Sequence, residues 1–453
     1  MPGKGGRRPH RTTVPSRVGL FGLLGQGNLG NDGSMEAVLA HLRARHDVIL
    51  DALCSEPDMV TARYGLPAVA LRWYQPDPQM PPGLMAIAKR GLGVSLGIGI
   101  DAFHTASWVR RHEAVVVPGM GVLETTVPMR PWRTPYWMFL LCASGRLFGT
   151  KVALVSVGAN VTDHRVTRRL ISGAARLAHY RSYRDTVSKD AMQRMGVDTS
   201  RDAVYPDVAF ALPTPSGISR VPGSVGIGVM DYSGGNDDLG QAAELRANYL
   251  EQMKSFSSWL VDNGHPIRLF TSDTADEPVM HEIAAAVRAH RPDLSPSSVV
   301  AEPAPSLTEL MQQIAQVDAV VATRYHNVLY ALLQAKPTLA LGYAAKHELL
   351  MADAGLPRFC LPCKSLDVTQ MIERFTELES RSEQLTQAIT ESNAVKVQLV
   401  DCQFAEMSAA LSLAQHNSTV AAERTALAQV HAEGDHWLQQ CYDDDPDRSS
   451  QGR

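Results

Sequence analysis

Three short stretches of the chain hold residues that could do chemistry. In Ala322-Thr-Arg324-Tyr-His326-Asn327, a cation and an imidazole stand two apart, after an apolar run and before a helix-like segment beginning at Val328. An arginine fork can hold a carboxylate or phosphate through two parallel bonds. A histidine can exchange a proton near neutral pH. The plainer alternative is a structural histidine in a capping network. Tyr343-Ala-Ala-Lys346-His347 follows the next apolar run, so Lys346 either enters the same cleft or stands on the surface. Arg184, in Tyr180-Arg-Ser-Tyr-Arg184-Asp185-Thr-Val-Ser188, either grips an anion or pairs with Asp185. A short strand is expected there, running into a helix capped by Thr186 or Ser188. Tyr205-Pro-Asp207 opens a further loop and strand, with Asp207 as a loop anchor.

Two glycine-bearing turns could line a ligand. Gly25-Gln-Gly27-Asn28-Leu-Gly30 lies between a strand-like run and a helix, with Asn31 and Asp32 directly after it. Taken alone it fits the dinucleotide fingerprint, with Asp51 as the acid about 20 residues on. The physics is broader: glycines allow close approach, and a helix N-terminus offers unpaired N–H groups to any anion. A tight structural turn is the alternative. Pro118-Gly119-Met-Gly121-Val-Leu-Glu124 ends another strand-like run and reads either as a cleft loop or as a plain turn.

These residues need a scaffold. The runs Val18–Leu24, Asp47–Leu53, Ala114–Pro118, Lys151–Val157, Val225–Met230, Pro266–Thr271, Ser298–Val300, Ala319–Thr323 and Pro337–Leu341 lack polar alternation. That pattern suits strands buried on both faces of a parallel sheet. Helical segments alternate with them, as at Gly33–Arg45, Val166–His179, Glu244–Asn263 and Thr308–Gln316, so the class is α/β. A Pro-, Gly- and Ser-rich stretch at 212–223 divides the chain. The expected organisation is a basic disordered tail at 1–16, an α/β domain at 17–212, a second at 213–366, a helical extension at 367–440 and an acidic tail at 441–453.

Composition excludes several classes. Of 453 residues, 45% are apolar and 20% charged, which is ordinary for a globular protein. With 43 Lys+Arg against 47 Asp+Glu, the chain lacks the basic excess of a nucleic-acid binder, so no nucleic-acid partner is expected. Six cysteines are too few for a disulfide framework and fit a reducing cytosol. Cys360-Leu-Pro-Cys363 reads as ordinary loop cysteines. No secretory leader or spanning segment is expected: the apolar stretch from Leu84 to Trp108 is interrupted by Lys89, Arg90, Asp101 and glycines. No clustered ligands call for a metal, and no cofactor is expected.

In this order the motifs resemble the polysaccharide pyruvyl transferase family. The carrying residues are Asn28, Gly30, Asn31 and Asp32; Gly119 and Gly121; Ser156-Val-Gly158; Arg184-Asp185-Thr-Val-Ser188; Pro206-Asp207; Arg324-Tyr-His326; and Tyr343-Ala-Ala-Lys346. The resemblance spans about residues 18–360. It implies two Rossmann-like domains facing a cleft in the GT-B manner, with the helical extension outside it. It also implies transfer of a pyruvyl group from phosphoenolpyruvate to hydroxyls of a saccharide or lipid-linked saccharide. His326 and Arg324 would be catalytic. Arg184, Lys346, Gly27, Asn28, Gly30, Asn31, Asp32, Gly119 and Gly121 would bind substrate. The expected place is the cytoplasm, with the inner membrane face as a second option. Any membrane contact would come from the basic tail, which otherwise reads as a solvated leader, or from Pro135–Leu141 with Arg146, which otherwise reads as a buried helix. Three other readings stay open: an NAD(P)-dependent oxidoreductase, a nucleotide-sugar glycosyltransferase of the same fold, and a non-catalytic scaffold. An oligomer is also open.

Overall fold

A computed structural model describes residues 15–72, 84–125, 130–235 and 237–413, with backbone alone over 84–95. The tail at 1–14, the extension beyond 413 and the acidic terminus therefore lie outside the described residues. The first half runs β1 (Ser16–Gly22), α1 (Leu29–Arg45), β2 (Val48–Cys54), α2 (Pro57–Tyr64), β3 (Ala68–Ala70), α3 (Leu84–Val109), β4 (Ala114–Pro118), α4 (Thr134–Phe148), β5 (Lys151–Val157), α5 (Arg165–Leu177), β6 (Tyr180–Tyr183), α6 (Thr186–Arg194) and β7 (Ala203–Val204). The second runs β8 (Val225–Gly228), α7 (Ala242–Asp262), β9 (Ile267–Phe270), α8 (Glu277–His290), β10 (Val299–Ala301), α9 (Leu307–Ala315), β11 (Ala319–Ala322), α10 (Tyr325–Leu333), β12 (Thr338–Gly342), α11 (Ala345–Asp353) and β13 (Cys360–Pro362). Two helices close the described chain, α12 (Val368–Ser380) and α13 (Ser382–Leu411).

Each half is one parallel sheet. The orders are β3-β2-β1-β4-β5-β6-β7 and β10-β9-β8-β11-β12-β13. In both, the order reverses beside the first strand, between β1 and β4 and between β8 and β11. Ligands of such sheets bind at this reversal, beyond the strand C-termini. The loops leaving β1, β4 and β11 are the ones that carry the glycine turns and the Arg324–His326 pair. Central strands are wholly apolar because both faces are covered: all five residues of β4 are buried.

Several local expectations are corrected. The segment after Tyr205 is a 3-10 turn at Val208–Ala211 rather than a strand, because Asp207 Oδ1 accepts from the Ala209 N–H and tightens it. The helix after Arg184 is capped by Asp185, which accepts from the Ser188 N–H, and not by Thr186 or Ser188. The first helix begins at Leu29, so Gly30 lies inside it. Cys360 starts the edge strand β13 and pairs with Ala340, so it is not a loop residue. Of the two readings of Pro135–Leu141, the structure has the buried helix: Tyr136, Trp137, Met138 and Leu141 are buried, and Arg146 donates to the Leu177 and Ala178 carbonyls. The Leu84–Trp108 stretch is one helix, and no described helix is long and apolar enough to cross a membrane.

Helix α13 ties the two halves together. Near its middle, Asn393 donates to the Leu332 carbonyl at 2.7 Å and Lys396 to the Asp353 carbonyl at 3.0 Å. Towards its end, Gln403 donates to Ser156 Oγ at 2.6 Å and Ser182 Oγ at 2.8 Å, at the tips of β5 and β6. His41 of α1 stacks on Phe404 with ring centroids 4.4 Å apart. Burial, with His46 and Arg45 adding repulsion, lowers its pKa to about 4. Between there and 6.5 the unfolded chain binds the extra proton, so stability is present above 6.5 and is lost as pH falls towards 4. The melting temperature should fall over that window, and the fall should be smaller in His41→Phe.

Candidate active site

Residues from both domains converge beyond the two strand reversals. Arg184 follows β6, Glu124 follows β4, Asp207 precedes the 3-10 turn, His326 opens α10 and Lys346 opens α11. Arg184 is nearly buried, its side chain 3% exposed. Its Nη2 donates to Glu124 Oε1, its Nε lies 3.7 Å from Asp185 and its Nη1 lies 3.9 Å from Asp207. Its guanidinium also stands 5.0 Å from the centre of the Tyr325 ring. Lys346 reaches the other Glu124 oxygen at 3.4 Å. One carboxylate is thus held between a cation from each domain. Burial alone would raise the Glu124 carboxyl, but Arg184 and Lys346 bring it down to about 2.

Behind this clamp sits an acid–base pair. His326 Nε2 lies 4.0 Å from Asp207 Oδ2, and neither atom has a hydrogen-bond partner in the structure. Burial, then the positive charges of Arg184 and Lys346, depresses the imidazole well below its ordinary value. Burial lifts the Asp207 carboxyl to about 6 against the pull of Arg184. The imidazole is therefore neutral at physiological pH and able to accept a proton. Buried polar atoms left without a hydrogen bond are costly to the fold and point to function.

Glycines make this approach fit. A Cβ on Gly30 would stand 2.0 Å from His326 Nδ1, and one on Gly33 would stand 2.3 Å from Tyr330 Oη. A Cβ on Gly158 would stand 2.4 Å from Glu124 Oε1. Gly119 packs against Ser34, and Gly121 against the Glu124 carboxylate. Ser156 takes a left-handed φ of 47°, which costs a non-glycine residue energy. It is pinned by Ser182, Pro206 and Gln403.

The glycine turn itself is filled by protein. Asn28 caps α1, accepting from the Gly30 and Asn31 N–H groups, while its Nδ2 donates to Asp273 at 3.0 Å. The Leu29 N–H donates to the Ser272 carbonyl of the other domain. Gly27, at φ +80°, faces Thr274. Asn31 holds the Leu23 carbonyl. Asp32 is fully buried, accepting from the Gly25 N–H and from Arg63. The N–H groups of Gly25, Leu29, Gly30 and Asn31 are thus already paired. Asp51, the expected ribose acid, is bound to Trp108 and His112. The oxidoreductase reading loses its structural basis here. Asn31 and Asp32, expected to bind substrate, are engaged in building the turn.

Arg324 lies beside the cluster, but its fork is taken up by Asp276 at 2.5 and 2.9 Å, with Asp273 at 3.5 Å. Asp273 also holds Asn28, so Arg324 anchors the domain seam in this arrangement. Sequence reasoning missed Glu124 and Gln403 as site residues. Glu124's place directly after the Gly119/Gly121 loop was a signal. Gln403 had none, since nothing in its helix announces a partner at Ser156. Among the described residues no group of His, Cys, Asp or Glu could hold a metal ion.

A family model described as polysaccharide pyruvyl transferase matches residues 28–344. No curated protein matches the chain. Among solved structures, UDP-GlcNAc 2-epimerase from Neisseria meningitidis bound to UDP-GlcNAc superposes with a TM-score of 0.54 at 12% identity, covering 87% of this chain and 99% of that one. UDP-GlcNAc 2-epimerase from Methanocaldococcus jannaschii gives 0.53 at 8% identity, covering 80% and 92%. A glycosyltransferase from Rickettsia africae gives 0.51 at 7%, covering 88% and 98%. At these identities the likeness carries the fold alone: two parallel-sheet α/β domains in the GT-B arrangement, with a helical C-terminal region.

Proposed function

The chain belongs to the polysaccharide pyruvyl transferase family, and from that premise we propose that it moves a pyruvyl group from phosphoenolpyruvate to two hydroxyls of a saccharide, forming a ketal and releasing phosphate. The observation that carries this reading is the clamp. Arg184 and Lys346, one from each domain, converge on a single carboxylate beside a neutral imidazole. The donor bears a carboxylate and a phosphate, and such a cation pair suits either group. Glu124 occupies the place that the donor's anionic group takes, and the donor displaces it.

The chemistry then runs as follows. A proton from solvent adds to the methylene carbon of the enol, leaving positive charge at C2. A sugar hydroxyl attacks C2 and gives its proton to His326, the base. The C2–O bond to phosphate breaks, phosphate leaves, and a second hydroxyl of the same sugar closes the ketal with loss of its own proton. Asp207, protonated below about pH 6, is the proton reservoir behind His326. Incubating the protein with phosphoenolpyruvate and a panel of nitrophenyl glycosides tests this by NMR. A ketal methyl signal should appear with an equal amount of phosphate. Phosphate without ketal would mean simple hydrolysis and would sink the transfer.

Glu124→Gln gives a separate test. With the competing carboxylate neutralised, phosphoenolpyruvate should bind on the order of tenfold tighter, since the open clamp is more populated. Weaker binding by calorimetry would show that Glu124 helps hold the donor rather than standing in its place.

A further inference from the structure

The family match ends at residue 344, yet a side chain beyond it reaches the base of the active site. Gln403 of α13 is fully buried. Its amide nitrogen donates to Ser156 Oγ at 2.6 Å and to Ser182 Oγ at 2.8 Å. Ser156 lies where the pairing of β5 with β6 is irregular, between Leu154 and Val157. Its N–H donates to the Ser182 side chain at 3.0 Å. Its hydroxyl donates to the Pro206 carbonyl at 2.9 Å. A serine hydroxyl has one proton to give. With Gln403 donating to the oxygen, that proton is directed to Pro206.

The Pro206 carbonyl is a handle on Asp207. A proline ring fixes φ, so ψ of Pro206 orients the peptide that enters Asp207, and the grip on the carbonyl sets ψ. Asp207 Oδ1 accepts from the Ala209 N–H at 3.1 Å. Asp207 Oδ2 has no hydrogen bond and faces His326 Nε2 at 4.0 Å and Arg184 Nη1 at 3.9 Å. Its direction therefore depends on the backbone that Ser156 holds. Ser156 keeps its left-handed φ only because its surroundings over-determine it, and Gln403 is one of those surroundings.

We propose that Gln403 is a positioning residue for the acid–base pair: through Ser156 and Pro206 it fixes the Asp207 carboxylate against His326. Docking α13 for stability alone needs only apolar side chains, such as the buried Phe404 and Met407 next along the helix. Gln403 instead buries an amide whose Oε1 has no partner, which costs the fold free energy. The two serine bonds are what that cost secures. The inference deepens the proposed function, because the pair that Gln403 positions is the acid–base pair of that reading.

NMR of the full chain labelled with ¹³C at its histidine rings tests the relay without any substrate. The His326 signal is the one that His326→Gln removes. Gln403→Met and Ser156→Gly should each shift it, and the double variant should shift it no further than the larger single change, because coupled residues are not additive. Ser156→Gly keeps the test open if Gln403→Met folds poorly, since glycine accepts the positive φ. Ser408→Ala, which loosens α13 where Ser408 meets His41 and His46, should move those two signals and leave His326 in place. In turnover, Gln403→Met should lower kcat about 10- to 100-fold while phosphoenolpyruvate affinity changes little. A His326 signal that neither Gln403→Met nor Ser156→Gly moves would overturn the proposal, and so would shifts that add in the double variant. An unaltered protein that does not turn over phosphoenolpyruvate would overturn the proposed function instead, while the expected shifts would still establish the relay.

Discussion

Arg184→Met should eliminate phosphoenolpyruvate binding and weaken the fold in the same stroke. Arg184 is the buried cation that Glu124, Asp185 and Asp207 share. Burial opposes its charge, and those carboxylates, Glu124 foremost, more than restore it. Removing the cation leaves buried negative charge uncompensated, a loss of about 3–5 kcal/mol in folding stability. Truncating one member of a buried charge pair in a binding site costs about 2–5 kcal/mol of affinity. That is roughly 30-fold to several thousandfold in Kd. Arg184→Lys separates the two effects, because it keeps the charge but loses the planar fork. It should fold with a smaller penalty and still bind the donor poorly. Lys346→Met gives the complementary case, since its ammonium is partly exposed at the clamp: affinity should drop while urea denaturation changes little. Arg184→Lys with undiminished donor affinity would remove this residue from the donor site.

His326→Gln should slow turnover by about 10²–10⁴-fold, the usual contribution of a positioned base, while phosphoenolpyruvate affinity stays close to that of the unaltered protein. The pH profile identifies the role. Burial and the charges of Arg184 and Lys346 hold the imidazole well below 6.5, so the base is already deprotonated at neutral pH. In the unaltered protein kcat/KM should rise through an acid limb below pH 6.5 and then level off. A bound donor brings negative charge beside the ring and favours the imidazolium, so the limb in kcat should lie at higher pH than the limb in kcat/KM. Both limbs should vanish from the residual activity of His326→Gln. A limb that persists there belongs to another group, and Asp207 would be the first to examine.

Much of this scaffold is readable from the chain, for a physical reason. A strand buried on both faces must be a near-continuous apolar run, so β4, β5 and β11 stand out in the sequence. The turns between strands and helices carry polar residues that apolar runs cannot, so Arg184, His326 and Lys346 are visible too. What is not readable is pairing across distance. Asn28 meets Asp273, which Arg324 also holds, only because the two sheets face each other. That contact turns an apparent phosphate cradle into a domain seam. Glu124 stands in full view after Gly121, yet its meaning depends on two cations 60 and 222 residues away. Short edge strands such as β3 and β13 give too few residues for a pattern. The helix α13 is legible as a helix, but its crossing from one domain to the other rests on Asn393 and Gln403, polar residues with ordinary neighbours.

The central claim is that the clamp formed by Arg184 and Lys346 receives the donor, and calorimetric titration with phosphoenolpyruvate tests it most directly. NAD and UDP are titrated into the same preparation, and phosphoenolpyruvate into Lys346→Met beside it. The account predicts saturable binding of phosphoenolpyruvate, its loss in Lys346→Met, and no heat of binding from NAD. Binding of NAD or UDP without phosphoenolpyruvate, or phosphoenolpyruvate binding that Lys346→Met retains in full, would contradict it.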